Sequence, residues 1–132
     1  MWGKNKNVDE TESADKKFQK EIVSGVAALV LLTILDKATQ PMYGYQIAKV
    51  LDGQAENEAV LKQGALYPVL RSLESSGLLQ SHVEPSVSGP PRRYYRITEA
   101  GRTTLTRWRA TWNQMRDFVD NVTKGEGHDQ ER

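Results

Sequence analysis

The chain has 132 residues, which is enough for one domain with a short extension but not for two independent cores. Its composition is typical of a soluble globular protein, with 38% hydrophobic residues, 27% charged residues and a mean hydropathy of −0.62. The absence of cysteine excludes disulfide scaffolds, thiol nucleophiles and cysteine zinc sites. The two histidines, His82 and His128, have no partner at metal-ligand spacing, so we expect neither a metal nor a cofactor.

Charge is unevenly distributed along the chain. Residues 62–109 contain eight Lys and Arg residues against three Glu, a net charge of +5, whereas residues 1–61 and 110–132 each carry −2. A basic middle segment in a nearly neutral chain is typical of a protein that binds a polyanion, although scattered surface charges can produce a similar pattern.

The N-terminal segment is polar. Residues 1–20 lack apolar periodicity, and we expect a tail that is either disordered or a frayed helix. They contain no apolar run of the kind found in signal peptides, so we expect a cytoplasmic protein that does not enter a membrane. The apolar pattern over residues 21–37 predicts a helix at the centre of the core, and its apolar stretch, residues 26–35, covers only about half of a membrane span.

Two shorter helices are predicted next. Apolar spacing indicates a second helix over residues 43–51 and a third from about Ala65 to Ser76, with Gly77 ending the third. Pro68 restricts where the third helix begins, because proline is tolerated only within the first turn. The local structure of residues 54–63 stays open.

The following segments alternate as half-buried strands do. Residues 79–83 and 93–97 flank a loop rich in glycine and proline, which predicts a β-hairpin. Thr98 then has the side chain of an N-cap, with Glu99 favourably placed in the first turn of a last helix over residues 99–124.

The last helix carries a heptad seam of apolar residues at intervals of three and four. The seam consists of Leu105, Trp108, Trp112, Met115, Val119 and Val122, and Phe118 widens it. Such a stripe can pack on its own domain or on a second copy. Because a domain of about 80 residues already has a core, we predict that these residues form a homodimer interface.

Three helices, a hairpin and a further helix follow the order of a winged helix-turn-helix protein. The predicted fold class is therefore mainly α with a small β-hairpin (α+β), with a DNA-binding domain over residues 21–98, a dimerisation helix over 99–124 and a flexible tail over 125–132. In this arrangement the third helix enters the major groove and the hairpin, or wing, reaches the neighbouring backbone. The residues of the chain that we predict to contact double-stranded DNA are Lys62, Gln63, Tyr67, Arg71, Arg92 and Arg93.

Three segments resemble the PadR family of transcriptional regulators. They are residues 43–47 (YGYQI), 64–79 (GALYPVLRSLESSGLL) and 89–102 (GPPRRYYRITEAGR). The resemblance covers roughly residues 25–105 and implies that the Leu-Tyr-Pro helix is the recognition helix and that the Pro-Pro-Arg segment is the wing. It extends the DNA-binding roles to Pro68 and Pro91. The single helix after the wing is similar to the compact branch of the family.

The resemblance has two further implications. The sequence departs from the family pattern at Ala65, where relatives usually carry Thr or Ser, so a hydroxyl that could cap the third helix or contact a phosphate is missing. Some relatives bind small aromatic effectors near the dimer interface, which implies such a site near Trp108 and Trp112. The two indoles can instead fill the dimer core.

The leading interpretation is a homodimeric, sequence-specific repressor that binds an inverted-repeat operator. The alternative is a winged-helix module that binds another protein and not DNA; the paired wing arginines disfavour it. We do not expect an enzyme, because the sequence contains no recognisable nucleophile–base pair, phosphate loop or ligand cluster.

Overall fold

The computed structural model describes residues 3–54 and 63–125, with side chains for residues 10–53 and 65–125. Within these ranges the chain forms four helices and a small antiparallel sheet, which confirms the predicted fold class. The elements in chain order are α1 (Gly3–Lys37), β1 (Met42–Tyr43), α2 (Gly44–Gln54), α3 (Gln63–Ser75), β2 (Leu79–Glu84), β3 (Arg92–Ile97) and α4 (Glu99–Lys124).

Helix α1 is longer than the sequence pattern indicates. The first helix was predicted to start at Glu21, after a tail that is either disordered or a frayed helix, whereas α1 runs continuously from Gly3. The side chains of residues 10–22 are all exposed. This half of the helix therefore forms without core contacts, from residues such as Glu, Lys, Gln and Ala that have high helix propensity.

The second half of α1 lies at the centre of the core. Leu31 and Leu32 are fully buried and Leu35 nearly so. By length and composition alone, Glu10–Lys37 could cross a membrane, a test that the core helix of a soluble protein also passes. The buried leucines agree with the prediction of a core helix. Around them lie Ile47 of α2, Leu66, Leu70 and Leu73 of α3, Leu79, Tyr95 and Ile97 of the sheet, and Leu105 of α4.

The sheet has three strands rather than the two of the predicted hairpin. Strands β2 and β3 form that hairpin, with Leu79 opposite Ile97 and Glu84 opposite Arg92. The additional strand, β1, pairs antiparallel with the other edge of β3. With two residues, β1 is too short to show alternation, and only its tertiary pairing makes it a strand.

Helix α3 begins earlier than predicted. Because it starts at Gln63, Pro68 lies beyond the first turn, and the proline removes the hydrogen bond that its N–H would donate to the Gly64 carbonyl. Ala65 is the third helical residue, so a hydroxyl at this position would not be at the N-cap.

The C-terminus of α3 is as predicted. Gly77 has a φ of 81°, and the Leu78 and Gly77 N–H groups donate to the Leu73 and Glu74 carbonyls, respectively, in a Schellman motif.

Helix α4 is fixed to the domain at its first turn. Thr98 is the N-cap, as predicted, and its hydroxyl accepts from the Gly101 N–H and donates to the Gly77 carbonyl. Gly101 packs so closely on the α3–β2 turn that an added Cβ would overlap the Leu78 carbonyl. Gly125, with a φ of 66°, ends the helix. The start of the dimerisation helix predicted over residues 99–124 is thereby held against the core.

Candidate nucleic-acid interface

Helix α3 has one buried face and one exposed face. Leu66, Leu70 and Leu73 point into the core, as their spacing predicts. On the opposite side, the predicted contact residues Tyr67, Pro68 and Arg71 are exposed. Lys62 and the side chain of Gln63, two further predicted contacts, lie outside the described residues.

Tyr67 links α3 to the start of α2. Its ring lies against Gly44, the first residue of α2, and a Cβ added to Gly44 would overlap the tyrosine hydroxyl. The side chain of Gln46 accepts a hydrogen bond of 3.1 Å from the Tyr43 N–H, which is half of a capping box and fixes the first turn of α2. The Tyr67 hydroxyl is therefore held beside the N-terminus of α2, where backbone N–H groups favour a negatively charged ligand.

The two wing arginines leave β3 on opposite faces of the sheet. Arg93 shares a face with the buried residues Tyr95 and Ile97, because alternate residues of a strand point the same way. Arg92 points to the other face, where its guanidinium carbon lies 4.4 Å from the centre of the Tyr43 ring. This is a cation–π contact, and it holds Arg92 against β1. Pro91 is exposed just before them, in the loop between the strands.

Arg93 belongs to a chain of three polar side chains. Its Nη1 donates a hydrogen bond of 3.0 Å to the Ser81 Oγ, and the Ser81 hydroxyl donates one of 2.7 Å to Oε2 of Glu74. Residues on α3, β2 and β3 are thereby joined side chain to side chain.

Tyr95 lies where α3 and the wing meet. Its burial raises the pKa of the hydroxyl above its usual range, and the positive charges of Arg93 and Arg71 oppose this shift. The negative charge of Glu74 adds to it, and Tyr67 contributes in the same direction. The charges of Arg71 and Glu74 on α3 and of Arg93 on the wing thus all act on one buried tyrosine.

The apolar seam of α4 divides into two parts. Leu105 is buried in the core of its own chain, and Trp108 packs partly against that core. Leu105 is therefore a core residue, and its assignment to the dimer interface is wrong. The remaining members of the predicted interface are between 42% and 62% exposed: Trp112, Met115, Phe118, Val119 and Val122.

An open groove of about 1250 Å³ lies between α1, α2 and the middle of α4. Trp112 lines it together with Tyr43 and Tyr45, whereas Trp108 is not among its lining residues. None of its lining residues within the described part of the chain is acidic, and four of them are cationic: Lys37, Lys49, Arg109 and Arg116. No cluster of three or more potential metal ligands occurs in the part of the chain that the structure describes.

Comparison with known proteins identifies the family. Residues 31–107 match the transcriptional regulator PadR-like family. The chain belongs to this family. The matched segment runs from the buried half of α1 to the start of α4 and includes α3 and the wing. The protein is accordingly a winged-helix, DNA-binding transcriptional regulator, and the resemblance seen in its three sequence segments is confirmed.

Individual relatives support the assignment. The chain is similar to a solved PadR family transcriptional regulator from Eggerthella lenta, with a TM-score of 0.72 and 30% identity, over 86% of this chain and 96% of that one. A PadR-like regulator from Bacillus cereus aligns with a TM-score of 0.64 and 26% identity, over 80% of this chain and 99% of that one. A Mycobacterium tuberculosis transcriptional regulator is 42% identical over 65 residues, 49% of this chain and 57% of that protein.

The sequence did not reveal every residue that builds this surface of the PadR-like regulator. Glu74 and Ser81, which hold Arg93, were not singled out, because a serine on a strand and a glutamate on a helix are ordinary surface residues. Tyr43, which stacks with Arg92, was assigned only to the second helix. Strand alternation is a signal for Ser81, because it places Ser81 and Arg93 on one face of the hairpin, whereas no local pattern marks Glu74.

Proposed function

We propose that this PadR-like regulator is a homodimeric repressor that binds an inverted-repeat operator through α3 and the wing, in the cytoplasm. The observation that carries the proposal is the exposure of Arg71 on α3 and of Arg93 on the wing, two elements that Glu74 and Ser81 join side chain to side chain. It gives α3 and the wing a common basic surface, as backbone contacts on DNA require.

The dimer is supported by the exposed part of the α4 seam. A stripe that includes Trp112, Met115 and Phe118 is an apolar surface of the kind that soluble proteins cover with a partner. A second copy of the same stripe is self-complementary about a two-fold axis.

Symmetry then defines the operator. A two-fold dimer presents two copies of α3, so the DNA must be an inverted repeat. If both copies enter successive major grooves on one side of the duplex, the half-site centres lie about 34 Å apart. Arg71 lies in the second half of α3, whereas recognition helices usually meet base edges with their first turns, so we assign it a phosphate contact.

The experiment is a binding and footprinting assay on the DNA upstream of the protein's own coding sequence. We expect protection of two half-sites, tighter binding than to a duplex with one half-site scrambled, and lower expression of a reporter placed behind the operator. Protection of one half-site alone contradicts the symmetric dimer. A dimer that binds no duplex, even at low salt, favours the alternative protein-binding module.

Arg71→Ala tests the assignment of Arg71 in the same assay. A lost phosphate contact weakens binding to every sequence equally, whereas a lost base contact relaxes the preference at one position in each half-site. We expect the first result, with unchanged relative affinities for a set of operator variants. A changed preference at a single position would assign Arg71 to a base edge.

The groove beside Trp112 supports a second role, the binding of an aromatic effector. Its aromatic rings offer stacking, and its four cationic side chains favour a ligand that carries negative charge. A hydroxycinnamic acid should therefore quench tryptophan fluorescence more strongly than its neutral amide does. Lys49→Gln should weaken binding of the acid alone, and Trp112→Leu should weaken both. Equal affinity for acid and amide would contradict the charge preference.

A further inference from the structure

The contact between the wing and α3 includes a carboxylate on a surface that is otherwise basic. Glu74 is half-buried and is linked through Ser81 to the wing residue Arg93. A negative charge close to a DNA-binding surface repels phosphate, so its presence there calls for a compensating role.

The hydrogen bonds of Glu74 indicate that role. Its Oε2 accepts from the Ser81 hydroxyl at 2.7 Å, which directs the serine oxygen's remaining lone pairs away from the carboxylate. That oxygen then accepts from Nη1 of Arg93 at 3.0 Å. Glu74 is in this way connected to the arginine through the serine.

The register of the hairpin makes this chain possible. Ser81 is opposite Tyr95 and Val83 is opposite Arg93, so Ser81 and Arg93 are diagonal neighbours on one face. Arg93 uses one N–H for the serine, and a guanidinium has five, so donors remain for a ligand. A long arginine side chain loses rotamer entropy when it is fixed, and a residue that is held before binding does not lose it again.

We propose that Glu74 and Ser81 are positioning residues that hold Arg93 in the orientation in which it contacts a DNA phosphate, and that they couple the wing to the recognition helix. The inference rests on the proposed function and adds the two residues to it. Their role is indirect, because each acts through the Arg93 guanidinium.

Glu74→Met, which removes both the charge and the oxygen that accepts from Ser81, gives opposite results under two mechanisms. If Glu74 affects DNA only through its charge, its neutralisation should tighten binding to every duplex. If it positions Arg93 through Ser81, the variant should bind more weakly despite its additional net positive charge. We expect the weaker binding.

The decisive experiment is a double-mutant cycle measured by operator binding with the full chain. Ser81→Ala should weaken binding about five- to tenfold, the range of one hydrogen bond, and Ser81→Thr should restore it. In an Arg93→Gln background, Ser81→Ala should have no further effect, because the serine acts through the arginine. Ser24→Ala is the matched control, since this serine is exposed on α1 and belongs neither to α3 nor to the wing.

The outcomes separate the inference from the proposed function. If the parent protein binds the operator and Ser81→Ala binds equally well, or if Ser81→Ala weakens binding by the same factor with and without Arg93, the positioning role is overturned. If the parent protein binds no duplex, both are overturned. Thermal unfolding and sedimentation of each variant should match the parent, and a loss of binding accompanied by unfolding or dissociation of the dimer counts against the positioning role.

Discussion

Gly101 shows how one residue can fix the position of an entire helix. A Cβ at this position would overlap the Leu78 carbonyl and would lie 2.6 Å from Cγ1 of Ile97. Neither can move easily, since Leu78 is in the tight turn after α3 and Ile97 is in the core.

We therefore expect Gly101→Ala to destabilise the fold by about 1–3 kcal/mol, the usual effect of overpacking. Gly25 of α1 is the matched control, because nothing lies within 4 Å of a Cβ added there. Gly25→Ala should stabilise the protein by about 0.5–1 kcal/mol, as alanine is the better helix former. Chemical denaturation measures both, and equal free energies of unfolding for the two variants would contradict the close packing of α4.

Tyr95 gives the protein a predictable response to alkaline pH. Burial raises the pKa of its hydroxyl, so the folded state holds the proton more tightly than the unfolded state does. The stabilisation is complete below about pH 10, the usual tyrosine value, and is lost as the pH rises through the higher pKa of the folded state.

The expected result is a free energy of unfolding that falls above about pH 10 in the parent protein and falls less in Tyr95→Phe. Denaturation at several alkaline pH values, with tyrosinate absorbance as a second readout, measures the difference. Identical pH profiles for the two proteins would show that the hydroxyl is not held in its neutral form.

At the scale of the elements, α4 combines two functions in one helix. Its first part is a core element, with Leu105 buried, and its later part carries the exposed apolar stripe. Charging Trp108 to test the interface would also disturb the core, because Trp108 packs against it.

A sharper test replaces Met115 and Val122, which are exposed, with Glu. The charges would enter a desolvated seam in the proposed dimer, so we expect monomers by sedimentation and weak operator binding. The control is Gln114→Glu with Asn121→Asp, which adds the same charge at the same spacing, one residue away from each seam position. If both double variants remain dimeric, the interface lies elsewhere.

The predictability of the elements depended on whether the deciding interaction was local. The ends of α4 could be inferred because Thr98 and Gly125 act within one turn of themselves. Strand β1 could not, because its pairing partner Tyr95 lies more than fifty residues away. The start of α3 was placed too late because propensity rules exclude Pro68 from a helix interior, whereas the buried Leu66 and Leu70 hold the helix together.

The candidate interface shows the same division. Tyr67, Pro68 and Arg71 follow from the helical period, since the buried leucines determine which residues remain outside. Strand alternation predicts that Arg92 and Arg93 lie on opposite faces of the sheet. It does not predict that Tyr43 and Glu74 lie near them. Tyr43 and Glu74 reach them only through tertiary packing.

At the scale of the whole molecule, the wing should contribute electrostatic affinity. Changing Arg92 and Arg93 to Gln should weaken binding to all duplexes alike and reduce the slope of log K against log salt by about 0.9 for each lost phosphate contact. Arg109→Gln with Arg116→Gln removes the same charge from α4 and should leave the slope nearly unchanged. An unchanged slope in the wing variant would mean that the wing points away from DNA.

The continuity of α4 has a mechanical consequence. From Arg102 to Lys124 it contains neither glycine nor proline, the usual causes of a kink, so it behaves as a stiff rod whose first turn is fixed to the core through Thr98. At 1.5 Å per residue its 26 residues span about 39 Å, and a tilt of about 5° at one end moves the other by about 3 Å. This displacement is close to the rise of one base pair, about 3.4 Å. In the proposed dimer, a ligand that changes the tilt of each α4 by about 5° would therefore displace the attached recognition helix by a distance close to that rise.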